Sequence, residues 1–180
     1  VEVTTGPLGQ GVANAVGMAI AEAQLRTRYG ADLFDHYVFA IAGDGCLSEG
    51  ISHEAASLAG HLGLGKLVMI YDDNHITVDG ETDLALSDDA AARFRSYGWH
   101  VLELGEVGED LDALEDGLNE AKAVTDAPSL VIVRTIIGTP ATESADTHEA
   151  HGYAILDEEI AATKAAMGMP VDETFHVPSD

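Results

Sequence analysis

Residues 37–76 read YVFAIAGDGCLSEGISHEAASLAGHLGLGKLVMIYDDNHI, and the fold is decided there. Tyr37–Ala42 is a short apolar run bounded by Gly43, which predicts a strand buried on both faces. Ile51, Ala55, Leu58 and Leu62 then fall on one stripe, predicting a helix over Ser48–His61 that the glycines at 63 and 65 close. Leu67–Tyr71 is a second apolar run of strand length. Strand, helix, strand in this order makes a parallel pair whose carboxyl ends point the same way. Asp44, in the Gly43-Asp44-Gly45 turn, and Asn74, after the second strand, are therefore expected to converge on one crevice. Two hard oxygen ligands there can share a divalent cation, and Mg²⁺ suits a site completed by water and phosphate. Gly45 lets a phosphate approach the backbone, while the following helix presents its positive end. A plain strand–turn–helix connection with no ligand is the other reading of the same residues.

Working outward, Gly6-Pro7-Leu8-Gly9 forms a rigid turn inside an irregular start, Val1–Gln10. Val12, Val16, Ala19, Ile20 and Ala23 recur at helical spacing up to Tyr29. Downstream, a helix is expected over Ser87–Tyr97, a strand over His100–Leu104, a helix over Leu111–Val124 and a β-branched strand over Leu130–Ile137. Gly138–Gly152 reads as a polar loop and Asp157–Met167 as a helix ended by Gly168. This alternation predicts one α/β domain over residues 1–180, a parallel sheet with helices on both faces.

Charge narrows the partners. The 180 residues hold 32 acids against 8 bases, a net charge of −24, so neither a nucleic acid nor an anionic membrane surface is an expected partner. A diphosphate in so negative a field needs a cation beside it, in keeping with the reading of Asp44. Cys46 is the single cysteine, so no disulfide closes within the chain and a reducing, cytoplasmic setting is expected. It reads as a small buried residue rather than a nucleophile, since no base partner is evident. The longest uncharged run, Val3–Ala21, contains four glycines and a proline and reads as a turn plus amphipathic helix. The chain opens at Val1 in what reads as the middle of a domain, so a piece of a longer protein is expected.

VEVTTGPLGQG (1–11), GDGCLSEGISHEAASLAGHLGLG (43–65) and YDDNHITVDG (71–80) together resemble transketolase. GDG, 28 residues, then Asn74 matches the motif shared by thiamin diphosphate enzymes, and His151-Gly152 agrees with the narrower family. The likeness runs to about Val177 and covers part of that family's diphosphate-binding domain; YAIL (153–156) departs from the Ala-Pro-Leu usual there. The resemblance implies that Asp44, the Asn74 side chain and the Ile76 carbonyl ligate Mg²⁺ or Ca²⁺. It also implies that Gly45 contacts the diphosphate, that Gly6 and Leu8 line the aminopyrimidine side, and that His151 faces the diphosphate and the reacting centre. Glu49 would then sit near the subunit interface of a homodimer and share in catalysis, with Glu54 in an acidic network between paired sites. The implied activity is transfer of a two-carbon ketol unit between sugar phosphates, as in the pentose phosphate pathway, with these 180 residues inactive alone. Dihydroxyacetone synthase, or a silent cofactor-binding subunit of a split enzyme, are the alternatives.

Other clusters have plainer readings. His148 and His151 at i, i+3 suggest zinc but lack a third ligand, and His53-Glu54 lacks the second histidine of a zincin helix. Glu106–Asp116 reads as a solvated acidic helix face, and Tyr97 and Trp99 as core.

Overall fold

The computed structural model describes residues 1–179. In chain order the elements are α1 (Gln10–Tyr29), β1 (Val38–Gly43), α2 (Asp44–Ser48), α3 (Gly50–His61), β2 (Leu67–Asp73), β3 (Ile76–Thr77), β4 (Gly80–Glu81), α4 (Ala90–Ser96), β5 (His100–Gly105), α5 (Leu111–Ala123), β6 (Ser129–Arg134) and α6 (Asp157–Ala166). Single 3₁₀ turns lie at Thr82–Leu84 and His148–His151. The elements group into two compact units. One comprises Val1–Asp73 with Ala85–Thr135, the other Asn74–Leu84 with the described residues from Ile136 onward.

The first unit is an α/β layer structure, as the alternation of apolar runs and helical stripes predicts. Its four strands are all parallel in the order β1-β2-β6-β5. Successive residues of the central strands feed opposite faces. Leu67, Met69 and Tyr71 of β2 join Leu130 of β6 in a core shared with α1, α3 and α4, whereas Val68, Val131 and Val133 pack with Leu114, Leu118 and Ala121 of α5. Such burial on both sides explains why these strands are near-continuous apolar runs rather than alternating ones. β1 lies at the sheet edge, where Phe39 and Ile41 remain 50% and 77% exposed.

An aromatic corner closes the first core. Phe94 meets Trp99 edge-on at 5.0 Å between centroids, and the Trp99 Nε1–H donates to the Ala56 carbonyl at 2.8 Å. Both rings are buried, as expected for Trp99, and this contact requires α3 to approach the end of α4 closely. Gly60 permits it: a Cβ there would lie 1.8 Å from the Tyr97 carbonyl oxygen.

Several boundaries differ from the sequence reading, and three have a visible cause. The helix expected over Ser48–His61 begins at Gly50, and a separate short helix over Asp44–Ser48 stands where a turn was expected, with Glu49 extended between them (φ −69°, ψ 139°). The bend turns Leu47 and Ser52 inward together, and the Ser52 hydroxyl donates to the Cys46 carbonyl across the break at 2.5 Å. α4 starts only at Ala90, because the Asp89 carboxylate caps it by accepting from Ala92 N–H. β6 stops at Arg134 rather than Ile137, where its guanidinium turns to donate to the carbonyls of Asp73 and Thr135.

The second unit is built on short-range devices: the β3–β4 hairpin, the 3₁₀ turn His148–His151 packed against β3, and α6. Asp110 caps α5 in the first unit, so the acidic run there is a capped, solvated helix start as expected.

Gly60→Ala is expected to destabilise the protein by about 1–3 kcal/mol, since the Tyr97 backbone must shift. Gly17→Ala, in open space on the exposed face of α1, should instead be neutral or stabilising by about 0.5–1 kcal/mol. Urea unfolding of the two variants checks both directions.

Candidate functional site

β1 delivers its last residue, Gly43, straight into α2, so Asp44 is the first helical residue rather than part of a longer turn. The parallel register sets Ala42 opposite Tyr71 and Gly43 opposite Asp72. That register brings the Tyr71 hydroxyl to Asp44, where it donates to Oδ1 at 2.5 Å. Both residues are buried, with Asp44 6% exposed and Tyr71 8%. Burial above all, then the hydrogen bond and charge of Asp44, push the Tyr71 hydroxyl far above its ordinary value. It therefore stays a proton donor throughout the physiological range and fixes the orientation of the carboxylate. Sequence reasoning assigned Tyr71 only to a strand. Its polar end, at the carboxyl terminus of a buried strand beside an acid, is the signal that could have found it.

The Gly6–Gly9 turn comes to the same edge. A Cβ on Gly45 would lie 3.2 Å from Leu8 Cδ1, so Leu8 covers that backbone. Gly9, at φ 75°, fits only as glycine, because a Cβ would lie 2.8 Å from both Glu49 Cβ and Ile51 Cγ2. The first unit thus gathers Leu8, Asp44, Gly45 and Glu49, four of the residues singled out from the sequence. Gly6 is exposed in the same turn. Glu49 is exposed at the α2–α3 break, where its side chain makes no capping hydrogen bond, and Glu54 is exposed on α3. Cys46 is partly buried against the core, in keeping with a packing role. Next to Asp44, Asp72 of β2 accepts from the Thr135 hydroxyl, so the strand ends are tied together by polar side chains as well.

The second unit holds the remaining candidates. Asn74 is buried, and its Oδ1 accepts from the Ile76 N–H at 2.9 Å, an Asx turn that starts the β3–β4 hairpin. His75 takes the left-handed conformation (φ 62°) that this turn needs, and its carbonyl accepts from Thr82 N–H. Asn74 and Ile76 are thereby held two residues apart in a fixed geometry, with both a side-chain amide oxygen and a backbone carbonyl on one turn. His151 ends the 3₁₀ turn packed on β3 and is exposed. The ring of His148 meets Tyr153 edge-on at 5.9 Å. Among the described residues no three His, Cys, Asp or Glu side chains form a metal-holding group.

In donor chemistry, Asp44, Asn74 and the Ile76 carbonyl are all hard oxygens, the set that Mg²⁺ and Ca²⁺ take. Gly45 keeps Cβ bulk off the backbone beside Asp44. Asp44 in the first unit, and Asn74 with Ile76 in the second, are each oxygen donors of the kind a hard cation takes.

Comparison with known proteins places the chain. The family model described as "Transketolase, thiamine diphosphate binding domain" matches residues 1–180. The chain is 52% identical over 183 residues to the transketolase of Nostoc sp. (strain PCC 7120), covering all of itself and 27% of that protein. It is 49% identical to the chloroplastic transketolase of Solanum tuberosum, over all of itself and 25% of that protein. A solved transketolase from Pichia stipitis, in complex with sedoheptulose 7-phosphate, superimposes with a TM-score of 0.94 at 45% identity, over 99% of this chain and 27% of its own. The chain thus spans about a quarter of the length of the relatives it matches.

Tyr71→Phe is expected to leave a buried Asp44 oxygen without its donor and to cost roughly 1–3 kcal/mol of stability. A lowered urea midpoint at unchanged m-value would show it.

Proposed function

Since the chain belongs to the transketolase family, we propose that it supplies the cofactor-anchoring part of an enzyme that moves a two-carbon ketol unit from a ketose phosphate to an aldose phosphate. The observation that carries this reading is the buried Asp44 carboxylate, oriented by the Tyr71 hydroxyl at the end of β1 and followed by Gly45. The 28-residue spacing from that turn to Asn74 supports it, as does the sugar phosphate bound by the Pichia stipitis protein.

In this proposal Asp44, the Asn74 side chain and the Ile76 carbonyl hold Mg²⁺ or Ca²⁺, and the Gly45 N–H meets the diphosphate. Gly6 and Leu8 line the aminopyrimidine side. When bound, thiamin diphosphate supplies the electron sink for the carbanion that ketol transfer requires. The chain's own residues bind and orient. The Tyr71–Asp44 bond keeps the anchoring carboxylate aimed, so little reorganisation accompanies cation binding. His151 faces the diphosphate and the reacting carbons as a hydrogen-bond donor, and Glu49 lies where a second subunit of a homodimer completes the site. All 180 residues fall within the diphosphate-binding domain of that larger protein. A cytoplasmic setting is part of the same proposal; the potato relative is named as chloroplastic, and no helix among the described residues is long and apolar enough to cross a membrane.

In the complete protein, Asp44→Ala should abolish metal-dependent binding of thiamin diphosphate, and Tyr71→Phe should weaken it by about 10–100-fold. Titration calorimetry with Mg²⁺ present reads both. Undiminished cofactor affinity of Asp44→Ala would refute the metal assignment, and absence of ketol transfer by the unaltered complete protein would overturn the activity.

A further inference from the structure

We propose that Glu159 is a positioning residue that holds His151 in place, by fixing the loop between Gly138 and Gly152 on which His151 is carried. Glu159 lies in the first turn of α6, and one of its oxygens, Oε1, gathers three donors from that loop. The Glu143 N–H donates at 2.9 Å, the Ser144 N–H at 2.7 Å and the Ser144 hydroxyl at 2.8 Å. Two consecutive backbone donors and a hydroxyl on one carboxylate oxygen make a charge-assisted clamp. Those bonds, led by the Ser144 N–H, hold the Glu159 carboxyl below its ordinary value.

The clamp reaches His151 through a short run of bonded backbone. Ser144 is 3% exposed, and its carbonyl accepts from both the Thr147 N–H at 3.2 Å and the Thr147 hydroxyl at 2.6 Å. Thr147 is the residue that enters the 3₁₀ turn, and its carbonyl accepts from Ala150 N–H, one residue before His151. Ala150 in turn sits over Gly138, where a Cβ would lie 2.8 Å from the Ala150 Cβ. The Asp146 N–H donates to the Ile137 carbonyl at the loop's entry. Glu143 and Ser144 are tied to Glu159, Thr147 to Ser144 and Ala150 to Thr147, so a run of bonds leads from Glu159 to the residue before His151. The 3₁₀ turn that ends in His151 packs on β3, and the bonds of the irregular segment leading into it hold the exposed histidine in one orientation.

This rests on the reading of His151 as a site residue, so the test separates the two. In the complete protein, Glu159→Ala should speed amide hydrogen exchange at Glu143, Ser144 and His148–His151 by about tenfold or more. It should lower kcat by about tenfold to a hundredfold while the KM for the sugar phosphate changes little. Glu159→Gln, which keeps an acceptor oxygen without the charge, and Ser144→Ala, which removes one of the three donors, should fall between Glu159→Ala and the unaltered protein. They decide the matter should Glu159→Ala not fold. In a His151→Ala background, Glu159→Ala should add almost no further loss of kcat. Unchanged exchange at His148–His151, or losses that multiply across the double variant, would overturn the proposal. A His151→Ala protein with undiminished ketol transfer would instead sink the reading of His151, while the exchange arm still tells whether Glu159 holds the loop.

Discussion

The parallel pairing of β1 with β2 is the constraint on which the chemistry of the first unit depends. One residue of slip would turn the Tyr71 hydroxyl to the other face of the sheet and bury the Asp44 carboxylate without it. The register is held by burial rather than by the hydrogen bond. Leu67, Met69 and Tyr71 face the core shared with α1 and α3, while Val68 faces α5, so a slip would exchange two fully packed faces at once. The polar pair is thus a passenger on a hydrophobic decision. The phenol satisfies one oxygen of the carboxylate, Oδ1, as the two groups are buried together.

The second unit works by the opposite means. Its ordering comes from polar contacts: the Asx turn at Asn74, the left-handed His75, the clamp of Glu159 on Glu143 and Ser144. α6 has no buried residue. Such a segment holds its shape only while each bond holds, whereas the sheet unit spreads its stability over a packed core. Asp44 is thus held by a packed sheet unit, whereas Asn74 and His151 sit on turns held by individual bonds.

Much of this was legible in the sequence because apolar period and glycine position are local signals. The run at 67–71 reads as a buried strand, the Ile51–Leu62 stripe as a helix, and Asp44 as the residue at a strand's carboxyl end; the run at 37–42 is a strand too, but an edge strand with Phe39 and Ile41 exposed rather than the buried one expected. What escaped notice depends on partners distant in the chain. The break at Glu49 exists because Leu47 and Ser52 both turn inward, which helical spacing alone does not reveal. Tyr71 reads as one more apolar strand residue until the register sets it beside Asp44. The β3–β4 hairpin pairs only two residues on each side, too few to show a period of two. Glu159 looks like any acid in a helix's first turn, since its donors lie fifteen and sixteen residues back in an unstructured loop.

The open face of β1 carries a consequence for handling this stretch of protein. Among the described residues, Phe39 and Ile41 present an apolar strip on an edge strand, the arrangement through which sheets of separate molecules join. The net charge of −24 opposes such meetings, because like-charged copies repel over distances comparable to the Debye length. At low ionic strength that length exceeds the reach of the apolar strip; in concentrated salt it shrinks to a few ångströms. Colloidal stability here therefore falls as salt rises, with electrostatics guarding an edge that sequence patterning leaves sticky.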